Sequence, residues 1–126
     1  MRTILFRGKC DFGPDWKYGY LTAKKFEDGV LLYILTDYMA KYSIIPNTIG
    51  QYTGLDDKNG KPIYEGDIVK LKDNEDDTGV IKWADGEAMF MFKADTWCTD
   101  FDHIDCEDVE VIGNIHDNPE LLEVEK

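Results

Sequence analysis

The chain has 126 residues, 43% hydrophobic and 13% aromatic, the profile of one globular domain and not of a disordered segment. Its formal charge is −12 and unevenly placed: residues 1–50 carry seven Lys/Arg against five Asp/Glu, net +2, and residues 51–126 carry seven against twenty-one, net −14. No apolar run approaches the roughly 20 residues that span a bilayer, the N-terminal residues lack the apolar core of a secretory signal, and the odd set Cys10, Cys98 and Cys106 makes no disulfide framework. The expectation is a cytoplasmic protein with reduced thiols and no membrane contact.

Arg2 to Arg7 is β-branched and aromatic and is followed by Gly8, which predicts a first strand. Gly8 to Trp16 reads as a loop. Trp16, Tyr18 and Tyr20 alternate at period two, a strand signal. Lys24 to Gly29 reads as a turn, and Val30 to Leu35 as a buried strand. Asp37 to Ile45 fits both helix and strand. Thr48 to Gly54 resumes the strand pattern, and Asn59-Gly60 marks a hairpin because both residues accept positive φ. Ile68 to Leu71, Gly79 to Trp83, Ala88 to Phe92 and Val109 to Ile115 are further strands, with a turn at Asp85-Gly86, an acidic loop over Asp73 to Asp77 and irregular structure over residues 94–108. Asp117-Asn118-Pro119-Glu120 has the cap, the first-position proline and the early acid of a helix start.

Eight short strands with one terminal helix predict a mostly-β fold: a small barrel or sandwich of short antiparallel strands, with a short C-terminal helix. The stretch from Tyr64 to Phe92 resembles an SH3-like barrel, in which a Gly-Asp turn feeds a strand, a loop and a Gly-led strand. The chain is read as a single domain over 1–126, with an N-terminal β subregion 1–50 and a barrel-like subregion 51–116.

Three segments together are specific. They are Arg2 to Lys9, the long run Thr48-Ile49-Gly50-Gln51-Tyr52-Thr53-Gly54-Leu55-Asp56-Asp57-Lys58-Asn59-Gly60-Lys61-Pro62-Ile63-Tyr64-Glu65-Gly66-Asp67-Ile68-Val69, and Val111 to Leu122. In this order they resemble the YopX family of phage and prophage proteins over nearly the whole chain. The resemblance implies a phage or prophage origin and a bacterial cytoplasm. It implies no activity, and it carries over no catalytic or binding residue. The middle run itself reads as architecture: its glycines suit turns and bulges and its apolar residues suit strand cores.

Five groupings of residues bear on chemistry. A calcium loop fails on register: with Gly60 at loop position six, position twelve is Gly66, where a bidentate Glu is required, and with Gly79 at six, position one is Asn74. Cys98, His103 and Cys106 are weak metal candidates, with His116 as a fourth ligand, because Cys98 to Cys106 is wider than the tight pairs of zinc sites. No motif places a nucleophile beside a base, so no enzyme and no cofactor are expected. For nucleic acid, Arg2, Arg7, Lys9, Lys17, Lys24 and Lys25 lie beside Trp16, Tyr18 and Tyr20, a pattern that can stack single-stranded bases. Against it stand the overall negative charge and the plain alternative that the aromatics form a core face. For a protein partner, the acidic part can steer onto a basic protein or mimic DNA, or serve solubility alone. The leading expectation is a non-enzymatic protein-binding module acting on host or phage proteins, self-association included. Nucleic-acid binding through the six cations is the alternative.

Overall fold

The computed structural model describes residues 4–13, 15–36, 40–71, 78–94, 98–101 and 106–122. The protein is mostly β, with antiparallel strands in two sheets and only short 3-10 turns among the described residues. Its residues cluster into two compact units, Met1–Tyr52 and Thr53–Lys126.

The first unit holds β1 (Phe6–Lys9), β2 (Trp16–Phe26), β3 (Gly29–Leu35), β4 (Lys41–Ser43) and the first residues of β5 (Gly50–Asp56), in the order β4-β3-β2-β1-β5. β1 pairs with β2 from Phe6↔Gly19 to Lys9↔Trp16, and β2 continues alone with β3 from Tyr20↔Leu35 to Phe26↔Gly29. Three expectations change here. The first strand begins at Phe6 among the described residues, and Arg2 lies outside them. Lys24, Lys25 and Phe26 are strand, and the turn is only Glu27-Asp28. Polar side chains suggested a turn because composition reports burial, and a strand exposed on both faces has none to report. Lastly, Val30 to Leu35 is not a buried strand: Ile34 is fully buried, but Val30 is 56% and Leu31 47% exposed. The ambiguous segment ends in β4, and its residues 37–39 are outside those described.

The second unit holds the rest of β5, which pairs with β6 (Pro62–Tyr64), and a five-stranded sheet. That sheet contains β7 (Asp67–Leu71), β8 (Thr78–Ala84), β9 (Met89–Lys93), β10 (Cys98–Asp100) and β11 (Val109–Asn114), in the order β10-β9-β8-β7-β11. Ile63, Val69, Ile81, Phe92, Phe101 and Val109 form the core, with Leu71, Phe90, Ala94 and Val111 packed around it. Val69 and Ile81 lie in stretches buried on both faces, Asp67 to Val69 and Gly79 to Ile81. Gly79 is needed for closeness: a Cβ there would sit 2.7 Å from the Phe92 ring and 2.6 Å from the Lys93 carbonyl. The irregular stretch 94–108 contains β10, too short to show a period. The acidic loop at Asp73 to Asp77 lies outside the described residues.

The expected C-terminal helix is a 3-10 turn over Pro119–Leu122, all four residues exposed, with Leu121 N–H donating to Asn118 O at 3.0 Å. Capping signals mark where a helix can start, but a nucleus this short needs tertiary packing to hold it, and this turn buries nothing.

The β8–β9 turn spans Asp85–Ala88, and its positive φ of 51° falls on Ala88 and not on Gly86. A side chain in the left-handed region costs about 1 kcal/mol. Ala88→Gly is therefore expected to be neutral or to raise the unfolding midpoint slightly, despite the greater entropy of the unfolded glycine chain. A clear fall in a thermal melt would show that the turn does not strain Ala88.

Candidate functional site

From Thr53 on, the long central run lies in the second unit, and its polar side chains hold backbone there. Thr53 Oγ1 donates to Ile63 O at 2.9 Å and accepts Leu55 N–H at 3.2 Å, which ties β5 to β6. Asp57, only 6% exposed, accepts N–H groups of Asn59 and Lys61 through Oδ1, both at 2.9 Å, and of Val111 through Oδ2 at 3.0 Å. It thus closes the turn at Gly60 (φ +81°) and fastens it to β11. Burial acts to raise the Asp57 pKa, but the three backbone donors and the Lys61 charge outweigh it and hold the carboxyl below its ordinary value. Asp67, 1% exposed, accepts Tyr64 N–H at 2.8 Å across the turn at Gly66. The C-terminal segment is similar: Asn114 Oδ1 accepts N–H from His116 at 3.0 Å and from Asp117 at 2.9 Å. These polar side chains are occupied in holding backbone, so the calcium-like look of Asp57 to Gly60 has a structural cause.

Of the metal candidates, Cys98 is exposed on β10, His103 lies outside the described residues, and Cys106 lies in a 3-10 turn. His116 is half-buried in the turn after β11. Among the described residues no three His, Cys, Asp or Glu side chains gather as a metal group, and no helix is long and apolar enough to cross a membrane.

Of the six cations of the nucleic-acid reading, the five that are described do not share one face. Arg2 is outside the described residues. Arg7 is 5% exposed and its guanidinium lies 4.8 Å from the centre of the Trp16 ring. Lys17 Nζ is 4.2 Å from the centre of the Tyr42 ring and Lys24 Nζ 5.5 Å from that of Phe26. Opposed residues of an antiparallel pair share a face, so the register puts Arg7, Lys9 and Lys24 on one face of the sheet and Lys17 and Lys25 on the other. Several aromatic faces thus carry the protein's own cations, an attraction of about 0.5–1 kcal/mol at exposed sites.

The surface that the strands do assemble is the β2–β3 arm. Beyond Gly19 no described strand pairs with the outer edge of β2, and β4 covers β3 only from Tyr33 to Leu35. One more backbone bond, Ile44 N–H to Leu32 O at 3.0 Å, reaches β3, and among the described residues both edges are unpaired from there to the tip. The arm exposes Tyr20 (57%), Phe26 (42%), Val30 (56%) and Leu31 (47%). A shallow depression of about 290 Å³ at its tip is lined by Phe26, Asp28, Gly29, Val30 and Leu31. Sequence reading missed Phe26, Val30 and Leu31. The overlooked signal is the pair Lys24-Lys25 across from Leu31 and Val30, because charged partners on both faces mark a ribbon with no core side.

Two antiparallel sheets held by polar staples, with one ribbon that exposes both apolar and charged side chains, define a mostly-β protein of small sheets. The YopX protein family profile matches residues 20–123, and the chain belongs to the YopX family. The crystal structure of protein YopX from Bacillus subtilis is similar over 100% of both chains, at 21% identity and a TM-score of 0.55. That of protein EF1440 from Enterococcus faecalis is similar over 98% of this chain and 100% of its own, at 25% identity and a TM-score of 0.58. Comparison with curated proteins gives no match.

Proposed function

We propose that this YopX-family chain is a phage- or prophage-encoded, non-enzymatic module that works in the bacterial cytoplasm by binding proteins, with the β2–β3 arm as its contact surface. The observation that carries this reading is the exposure of Tyr20, Phe26, Val30 and Leu31 on one ribbon. A two-stranded ribbon is marginal alone in water, and clustered apolar exposure of this kind marks interaction surfaces. The acidic residues that dominate positions 51–126 steer the module toward basic partners and away from DNA. Tyr64 to Phe92 serves as the SH3-like portion of the scaffold: the turn at Gly66 feeds β7, and β8, opening at Thr78-Gly79, returns beside it.

The test is affinity capture from bacterial lysate with the intact chain and with a Phe26→Ser/Leu31→Ser variant, each with and without nuclease. A protein retained after nuclease by the intact chain, and lost by the variant, is the expected result. Retention that disappears with nuclease, or that ignores the variant, overturns the reading and makes Lys17, Lys24 and Lys25 the residues to change next.

A further inference from the structure

We infer that the arm's partner is a second copy of this chain, joined by antiparallel pairing of β2 with β2 across a twofold axis at Ala23. The inference rests on the arm being a contact surface and names its occupant.

Among the described residues nothing pairs with the β2 edge from Tyr20 to Phe26, since β1 ends opposite Gly19 and the turn begins at Glu27. Backbone donors and acceptors along an open edge are a template for another strand. The antiparallel register that pairs this seven-residue stretch with itself completely, without running into β1, is centred on Ala23. A twofold contact is isologous, so each cross-strand pair occurs twice. Tyr20 then faces Phe26 of the other copy, Leu21 faces Lys25, and Thr22 faces Lys24.

Three consequences favour this occupant. The two aromatics of the Tyr20–Phe26 stretch, both exposed, become cross-strand partners, an arrangement that stabilises sheets. Lysines on an edge strand usually discourage pairing, but here none stands directly opposite another, and Lys24 Nζ is already turned toward its own Phe26 ring. The stretch Leu21 to Lys25 carries no acid, so neither copy brings an unpaired carboxylate to the contact. The area is also sufficient: a seven-residue edge with three large side chains buries on the order of 500 Å² per copy, about 1,000 Å² in the pair, at the lower limit of specific interfaces. The dimer is therefore weak, with a dissociation constant in the micromolar range.

The test is sedimentation velocity from about 5 to 500 µM, together with cysteine cross-linking of the full chain carrying Cys98→Ser and Cys106→Ser. Directly opposed residues in an antiparallel pair have Cα atoms about 4.5–5.5 Å apart, inside the range of a disulfide. Ala23→Cys is expected to give a disulfide-linked dimer under copper-catalysed air oxidation at least tenfold faster than Lys25→Cys, whose two copies lie four positions out of register. Reversible dimerisation of the unsubstituted chain, weakened at least tenfold by Phe26→Ser, is the second expected result. A chain that stays monomeric at 500 µM, or equal cross-linking at the two positions, overturns the inference. Arm-dependent capture of another protein in the lysate experiment would then leave the binding-module reading standing with a different partner.

Discussion

Phe92→Ala is expected to cost about 3–5 kcal/mol, the range for removing a buried aromatic side chain. Phe92 is fully buried at the centre of the cluster formed by Ile63, Val69, Ile81, Phe101 and Val109. Its ring closes over Gly79, and its neighbours other than Phe101 belong to strands whose backbone pairing fixes them, so the cavity cannot collapse freely. Total stability of a protein this size is about 5–15 kcal/mol, and the loss is a large share of it. Urea unfolding followed by circular dichroism should show a midpoint lower by about 1 M or more, for slopes of about 1–3 kcal/mol per M. Phe92→Leu keeps most of the volume and should lose roughly a third as much. If the alanine variant loses less than 1 kcal/mol, Phe92 is not the packing centre of the second unit.

Asp57→Ala is the second large effect, about 2–4 kcal/mol. Hydrogen bonds to a charged group contribute about 1.5–3 kcal/mol each and are not additive. Three backbone N–H groups lose their acceptor at once, one of them on Val111, 54 residues away in sequence. The nearby Lys58–Glu110 pair, 3.8 Å apart with side chains 37% and 42% exposed, contributes little by comparison. Asp57→Asn keeps one carbonyl acceptor and should lose less than the alanine variant. The pH dependence follows from the direction of the shift. The folded carboxyl titrates below the unfolded one, whose ordinary value is near 3.9. Its stabilisation is fully present above that value and is lost as pH falls through the folded pKa. Between pH 7 and pH 3 the unsubstituted protein should lose stability that Asp57→Asn has already lost, so the gap between the two curves narrows below about pH 4. A gap that stays constant to pH 2.5 would show that the charge of Asp57 does not matter.

The central run shows how the legible and the illegible parts of this chain divide. Asn59-Gly60 and the glycine at 66 announce turns because only local backbone chemistry is involved, and both turns are there. The job of Asp57 could not be read, because its third partner, Val111, is set by which strand lies beside the turn. Cys98 and Cys106 stood out by residue type, and Arg7 to Lys25 by charge, yet the register sends those cations to opposite faces and sets Arg7 against Trp16.

Sequence alone was enough for the mostly-β class, for most strands of five residues or more, and for the family. Those features rest on period-two alternation, turn residues and a long ordered motif, all of which are local. Tertiary structure decided the three short strands β4, β6 and β10, which form only because a neighbouring strand supplies their hydrogen bonds. It also left Pro119–Leu122 a 3-10 turn and not the expected helix, since none of the four residues is buried. Most of all it decided which apolar residues face water. Val30 and Leu31 read as core by composition, and the arm exposes them because β1 and β4 stop short of it.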